Sequence, residues 1–162
     1  VKKRLFSGVV IGIVMLALLM VPQAVQAQEG GNLRLGSQYS HPYGGFSAIY
    51  DLGDAFSVQG MVGWNSLAGK AIIRVRQEPY WNIYGYGGAG LNFLVVRPGA
   101  MAGAGVEFDW RQFGIDFGEI IGWEDRAFTS NLELGIGVRA PRYDWENIRF
   151  GMNIGSGFHI SF

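Results

Sequence analysis

A chain of 162 residues is long enough for one domain with a buried core and too short for two. It has no cysteine, which excludes disulfides, thiolate metal sites and cysteine nucleophiles together. Thirteen basic side chains balance thirteen acidic ones, and 26 glycines with only five prolines, among five Trp, seven Tyr and eleven Phe, suit neither disorder nor collagen nor helices.

The first element is a targeting segment. Lys2, Lys3 and Arg4 precede an apolar run from Val9 to Val21, then Pro22 and the small-residue site Val25-Gln26-Ala27. This pattern predicts a Sec-type signal peptide over 1–27, cleaved after Ala27, because the run is shorter than the roughly 20 residues that a membrane helix needs. Cleavage leaves a mature domain over 28–162 with ten basic against thirteen acidic groups. A mildly acidic domain without a Lys/Arg cluster excludes a nucleic-acid partner.

The mature chain reads as strands. Asn32 to Leu52 carries Leu33, Leu35 and Tyr39, breaks at His41-Pro42 and resumes with Phe46, Ala48 and Tyr50, as one kinked strand or two. Ala55 to Trp64 separates Phe56, Val58, Val62 and Trp64 from Ser57, Gln59 and Met61. Lys70 to Arg76 separates Ala71, Ile73 and Val75 from Lys70, Ile72, Arg74 and Arg76, and Trp81 to Phe93 alternates more loosely. From Ala100 to Trp110, Ala100, Ala102, Ala104, Val106, Phe108 and Trp110 oppose Met101, Gly103, Gly105, Glu107 and Asp109. Phe113, Ile115 and Phe117 suggest a short strand with a bulge near Gly118. Leu132, Leu134, Ile136 and Val138 then oppose Asn131, Glu133, Gly135, Gly137 and Arg139.

The last run, Ile148 to Phe162, is the clearest. Its even positions read Ile, Phe, Met, Ile, Ser, Phe, Ile, Phe and its odd positions Arg, Gly, Asn, Gly, Gly, His, Ser. At about 3.3 Å per residue it reaches roughly 50 Å, enough to cross a bilayer at a tilt near 45°. Turn residues fall between the runs at Gly53-Asp54, Asn65-Ser66, Glu78-Pro79, Arg97-Pro98-Gly99, Asp125-Arg126 and Pro141 to Asn147, so neighbours are antiparallel. With no helical period in the mature chain, the expectation is an all-β, antiparallel, up-and-down closed barrel of eight strands, with ten as the alternative.

Alternation alone leaves open which face points inward. The polar face also collects small residues (Gly103, Gly105, Gly135, Gly137, Gly151, Gly155 and Gly157), which suits the inside of a narrow barrel, where side chains must share little width. Trp64, Trp81, Trp110, Trp123 and Trp145 stand near strand ends, where girdles at a membrane interface are expected. A lumen charge network follows, built from Lys70, Arg74, Arg76, Arg139 and Arg149 with Glu107, Asp109, Asp116 and Glu133. In eight strands such a set reads as a plug more readily than as a narrow ion path.

The run Phe158-His159-Ile160-Ser161-Phe162 resembles the C-terminal signature of bacterial outer-membrane barrels, and Gly103-Ala104-Gly105-Val106-Glu107-Phe108 looks like the glycine-rich strand of small OmpA/OmpX-type barrels. The resemblance implies a Gram-negative-type cell envelope, insertion into outer-membrane lipid by dedicated machinery that reads Phe158, Ile160 and Phe162, and a porin-like architecture with a structural or surface role. It implies no catalysis and no cofactor.

Two alternatives are weighed against it. A secreted lipocalin-like barrel would turn the apolar face inward and bind a hydrophobic ligand. His159 and Ser161 are similar in spacing to the base and nucleophile of outer-membrane lipid A deacylases, but no orienting glutamate follows and the alternation points both inward, where His159 is expected to meet Glu107 or Glu133. Two histidines make a histidine-rich metal site implausible. Asp109, Asp116 and Glu119 fit no calcium-loop spacing, and the Gly85 to Gly90 cluster precedes neither a lysine nor a helix, so it is barrel wall and not a phosphate loop.

Overall fold

A computed structural model describes residues 33–41, 43–94, 97–124, 126–140 and 148–162. The chain divides into Val1–Asn32 and Leu33–Phe162. The expected signal peptide, Pro42, Asp125 and the turn Pro141 to Asn147 with Trp145 lie outside the described residues.

The second unit is a closed barrel of eight antiparallel strands in sequence order. They are β1 (Leu33–Ser40), β2 (Tyr43–Asp51), β3 (Phe56–Val62), β4 (Ser66–Gln77), β5 (Trp81–Asn92), β6 (Arg97–Asp109), β7 (Phe128–Arg139) and β8 (Arg149–Ser161). β8 returns to β1, with Gly36 opposite His159 and Gln38 opposite Gly157, which leaves no unpaired edge.

Strict alternation assigns the faces. Ser57, Gln59 and Met61 of β3 are buried while Phe56, Val58 and Val62 are exposed; on β7, Asn131 and Glu133 are buried while Leu132, Leu134 and Ile136 are exposed. On β8, Asn153 and His159 are fully buried, whereas Phe150 is 79% exposed. The polar set therefore fills the inside and the apolar set covers the outside. Part of the interior is apolar as well, where Tyr43, Met61, Ala68, Ile72, Tyr84, Tyr86 and Met101 pack together.

The total of eight agrees with the expectation, but its composition does not. Asn32 to Leu52 supplies two strands, β1 and β2, and the run around Phe113 to Phe117 supplies none. Trp110–Phe113 is a single 3-10 turn, and Phe117–Ile121 is a short helix, α1. Local caps explain the correction. The Asp109 carboxylate accepts from the Arg111 amide and the Asp116 carboxylate from the Glu119 amide, while Gly114 (φ 73°) and Gly122 (φ 76°) end the two turns in the left-handed region. Asp before and Gly after each turn outweigh the alternation of three aromatic and aliphatic residues.

The connection over residues 110–127 lies at the same end of the barrel as Leu33 and Phe162. It is fastened to the outer wall by aromatic rings: Trp110 sits 5.7 Å from Phe108 and 5.5 Å from Phe117, and Phe117 sits 5.8 Å from Phe128 and 6.4 Å from Phe158, centroid to centroid. Arg97-Pro98-Gly99, expected in a turn, instead opens β6.

Candidate functional site

The lumen is where the barrel concentrates its polar chemistry, and it is organised in three groups. Nearest the strand ends that carry Leu33 and Asp51, Arg34 lies between the carboxylates of Glu107 and Asp51, the latter at 3.1 Å. Asp51 also accepts from Arg74 at 2.6 Å and from Ser57 at 2.5 Å, and Glu107 accepts from Asn82 at 3.3 Å.

The second group surrounds Lys70 and Glu133, whose side chains are wholly enclosed. The Lys70 ammonium donates to the Glu133 carboxylate and, at 2.7 Å, to the Ser40 hydroxyl, and stands 4.7 Å from the centroid of the Tyr86 ring. Ser40 and Tyr84 donate to the two Glu133 oxygens at 2.6 Å and 3.1 Å. Asn131 extends the network by donating to Tyr84 and Gln38.

Together, Arg34, Lys70 and Arg74 face Asp51, Glu107 and Glu133, three cations against three carboxylates. Burying so many charges is unfavourable unless each is matched by an opposite charge and by further hydrogen bonds. Here each ion has a counter-ion, and the carboxylates receive neutral donors on their remaining lone pairs.

The third group centres on His159. Its Nε2 exchanges a hydrogen bond with the Ser47 hydroxyl at 2.9 Å, and Gln59 donates to the same hydroxyl at 2.8 Å. Ser47, not Ser161 and neither Glu107 nor Glu133, is thus the partner of His159. A hydroxyl this close to an imidazole has the spacing of a base-activated nucleophile, but Ser47 and His159 are both 0% exposed, which denies a substrate any approach.

Four of the nine residues expected to share the lumen network are joined in it: Lys70, Arg74, Glu107 and Glu133. Arg76 is not. The β4/β5 register slips between Arg74 and Arg76, so the bulged Val75 shifts the parity and places Arg76 opposite the outward Ile83. There Arg76 pairs with Glu78 and lies 5.2 Å from the Trp81 ring. Asp109 is drawn into the adjoining turn by Arg111, whose pKa this hydrogen bond holds above its ordinary value, and Asp116 caps α1. Arg139 lies 3.2 Å from His41, and Arg149, opposite Arg139 in the ladder, is exposed.

The sequence reading missed Arg34 and Asp51. Arg34 stands between Leu33 and Leu35, and the alternation Arg34, Gly36, Gln38, Ser40 was there to be read. Fusing β1 and β2 into one kinked strand hid it, since faces cannot be assigned across an unrecognised turn. Of the three residues expected to form a C-terminal signature, Phe158 packs against Phe128 at 5.7 Å, Ile160 is partly covered, and Phe162 lies beside Trp123 and Arg126. Comparison with protein-family models, curated proteins and solved structures found no match to the chain.

Proposed function

We propose that this chain is a small integral outer-membrane barrel of the OmpA/OmpX type, with a structural or surface role and a lumen plugged by its own ion pairs. The observation that carries this reading is the inverted wall. Leu132, Leu134, Ile136, Phe150, Met152 and Ile154 on adjoining strands are each more than half exposed, while charged groups fill the interior. A water-exposed apolar surface spread over whole strands would drive association; a bilayer is the solvent that suits it. The lipocalin-like alternative needs an apolar cavity, and here that volume holds Arg34, Lys70, Arg74 and their carboxylates. The signal segment over 1–27 and the run Phe158, Ile160, Phe162 agree with export and insertion, with the ends of β1 and β8 toward the periplasm.

Membrane extraction tests the reading. The protein should stay with the membrane through high salt and alkaline carbonate and leave only with detergent; release by alkali alone overturns the proposal. The plug makes a second prediction. Wild-type protein in planar bilayers should give no steady conductance, because a charge-balanced, side-chain-filled lumen leaves no continuous water column. Regular unitary channels from wild type would refute the plug while leaving the membrane location intact.

A further inference from the structure

Three serines stand together in the apolar outer wall. Ser37 of β1, Ser130 of β7 and Ser156 of β8 hold outward positions flanked along their own strands by Leu35 and Tyr39, Phe128 and Leu132, and Ile154 and Phe158. The ladders bring the three together. Ser37 and Ser130 are the two cross-strand neighbours of Phe158, and Ser156 lies between Tyr39 and Leu132. Replacing large apolar side chains by serines leaves an open crevice of ≈ 570 Å³, walled by Tyr39, Leu132, Phe108 and Phe158. Trp110 borders it and donates from Nε1 to the Ser130 hydroxyl at 2.8 Å.

Hydroxyls facing hydrocarbon are unfavourable unless an acceptor meets them. Ser37 and Ser156 are exposed. Counting along the strands from Phe128 and Ser161 at about 3.3 Å per residue and a tilt near 45°, Ser130 lies roughly 5 Å and Ser156 roughly 12 Å inside the strand ends. In a hydrocarbon core about 30 Å thick the serines therefore run from near the rim, where ester carbonyls meet the chains, inward alongside the chains. The volume falls within the roughly 300–1,000 Å³ in which proteins hold one small apolar ligand. The concave shape argues against a second copy, because two such hollows facing each other across a twofold axis would enclose a void.

We propose that this crevice binds one acyl chain of a diacyl glycerophospholipid, with an ester carbonyl accepting from the outward serines. The inference rests on the membrane reading above. Beside the crevice, Trp110 packs between Phe108 and Phe117.

The test is native mass spectrometry of the protein reconstituted in vesicles of phosphatidylethanolamine and phosphatidylglycerol and released in mild detergent. Wild type should retain one phospholipid. Ser156→Leu, which fills the hollow from the outside, should retain about tenfold less, the scale of losing one good hydrogen bond. Ser37→Leu repeats the test from the other wall, and the heat-dependent gel mobility of folded barrels identifies any variant that fails to fold. Equal retention by wild type and both folded variants overturns the proposal, as does retention only after lipopolysaccharide is added. A dimer that Ser156→Leu dissociates would instead assign the surface to a second copy and overturn it too. Wild type that needs detergent for extraction yet carries no lipid refutes the crevice alone; release by alkali refutes the crevice and the membrane reading together.

Discussion

Glu133→Leu should destabilise the barrel by about 3–5 kcal/mol, because it leaves the Lys70 ammonium enclosed without its counter-ion. Lys70 keeps only the Ser40 hydroxyl and the face of Tyr86, while Ser40 and Tyr84 lose the carboxylate that accepts from them. The pair's net contribution is a separate quantity. In Lys70→Met/Glu133→Leu the buried charge is gone from both sides, so the double variant should be more stable than Glu133→Leu alone. Urea unfolding in detergent micelles, followed by tryptophan fluorescence, supplies both numbers. If the double variant is as unstable as the sum of the two single variants, the ion pair is not coupled and the account of the plug is wrong.

The second large effect is expected at Gly36. A Cβ built there would stand 1.8 Å from the Phe158 carbonyl oxygen and 2.8 Å from the His159 Cα, both backbone atoms across the β1/β8 seam. Side-chain rotation cannot relieve a contact with backbone. Gly36→Ala should therefore cost more than about 3 kcal/mol, at the upper end of overpacking effects, by pushing apart the two strands that close the barrel. Gly60 is the control, since a Cβ there meets nothing within 4 Å. Gly60→Ala should stay within about 0.5 kcal/mol of wild type. Equal behaviour of the two variants would mean that the seam is not tight at Gly36.

Period-two alternation made the faces of most strands legible, because a strand with one apolar side admits no ambiguity of register. β7 and β8 show this best: every outward residue from Leu132 to Val138 and from Phe150 to Ile154 was assigned to its face from the sequence. Features that depend on a neighbouring strand were harder. The bulge at Val75 exists only in the pairing of β4 with β5, so nothing in the run Arg74-Val75-Arg76 announces that Arg76 leaves the lumen. The helix α1 was concealed differently, by reading Phe113, Ile115 and Phe117 as a strand when the Asp and Gly caps on either side were the stronger signals.

Lumen partners could be guessed by face but not by pairing. Glu133 and Lys70 are far apart in sequence and lie on strands that are not neighbours, and their contact across the barrel follows from its width and stagger. His159 shows the same limit. Its face was legible, but its partner Ser47 lies on β2 and depends on how β1, β2 and β8 are aligned at the closing seam.

That seam also separates connectivity from architecture. The Phe162 amide donates to the Leu33 carbonyl at 2.8 Å, so the outer ends of the first and last strands already lie side by side. Joining them with a short linker and opening the chain at the 63–65 turn would give a circular permutant in which each strand keeps both of its neighbours. The eight strands form a ring with no thermodynamic beginning. Chain order would then have no bearing on what holds the ring closed.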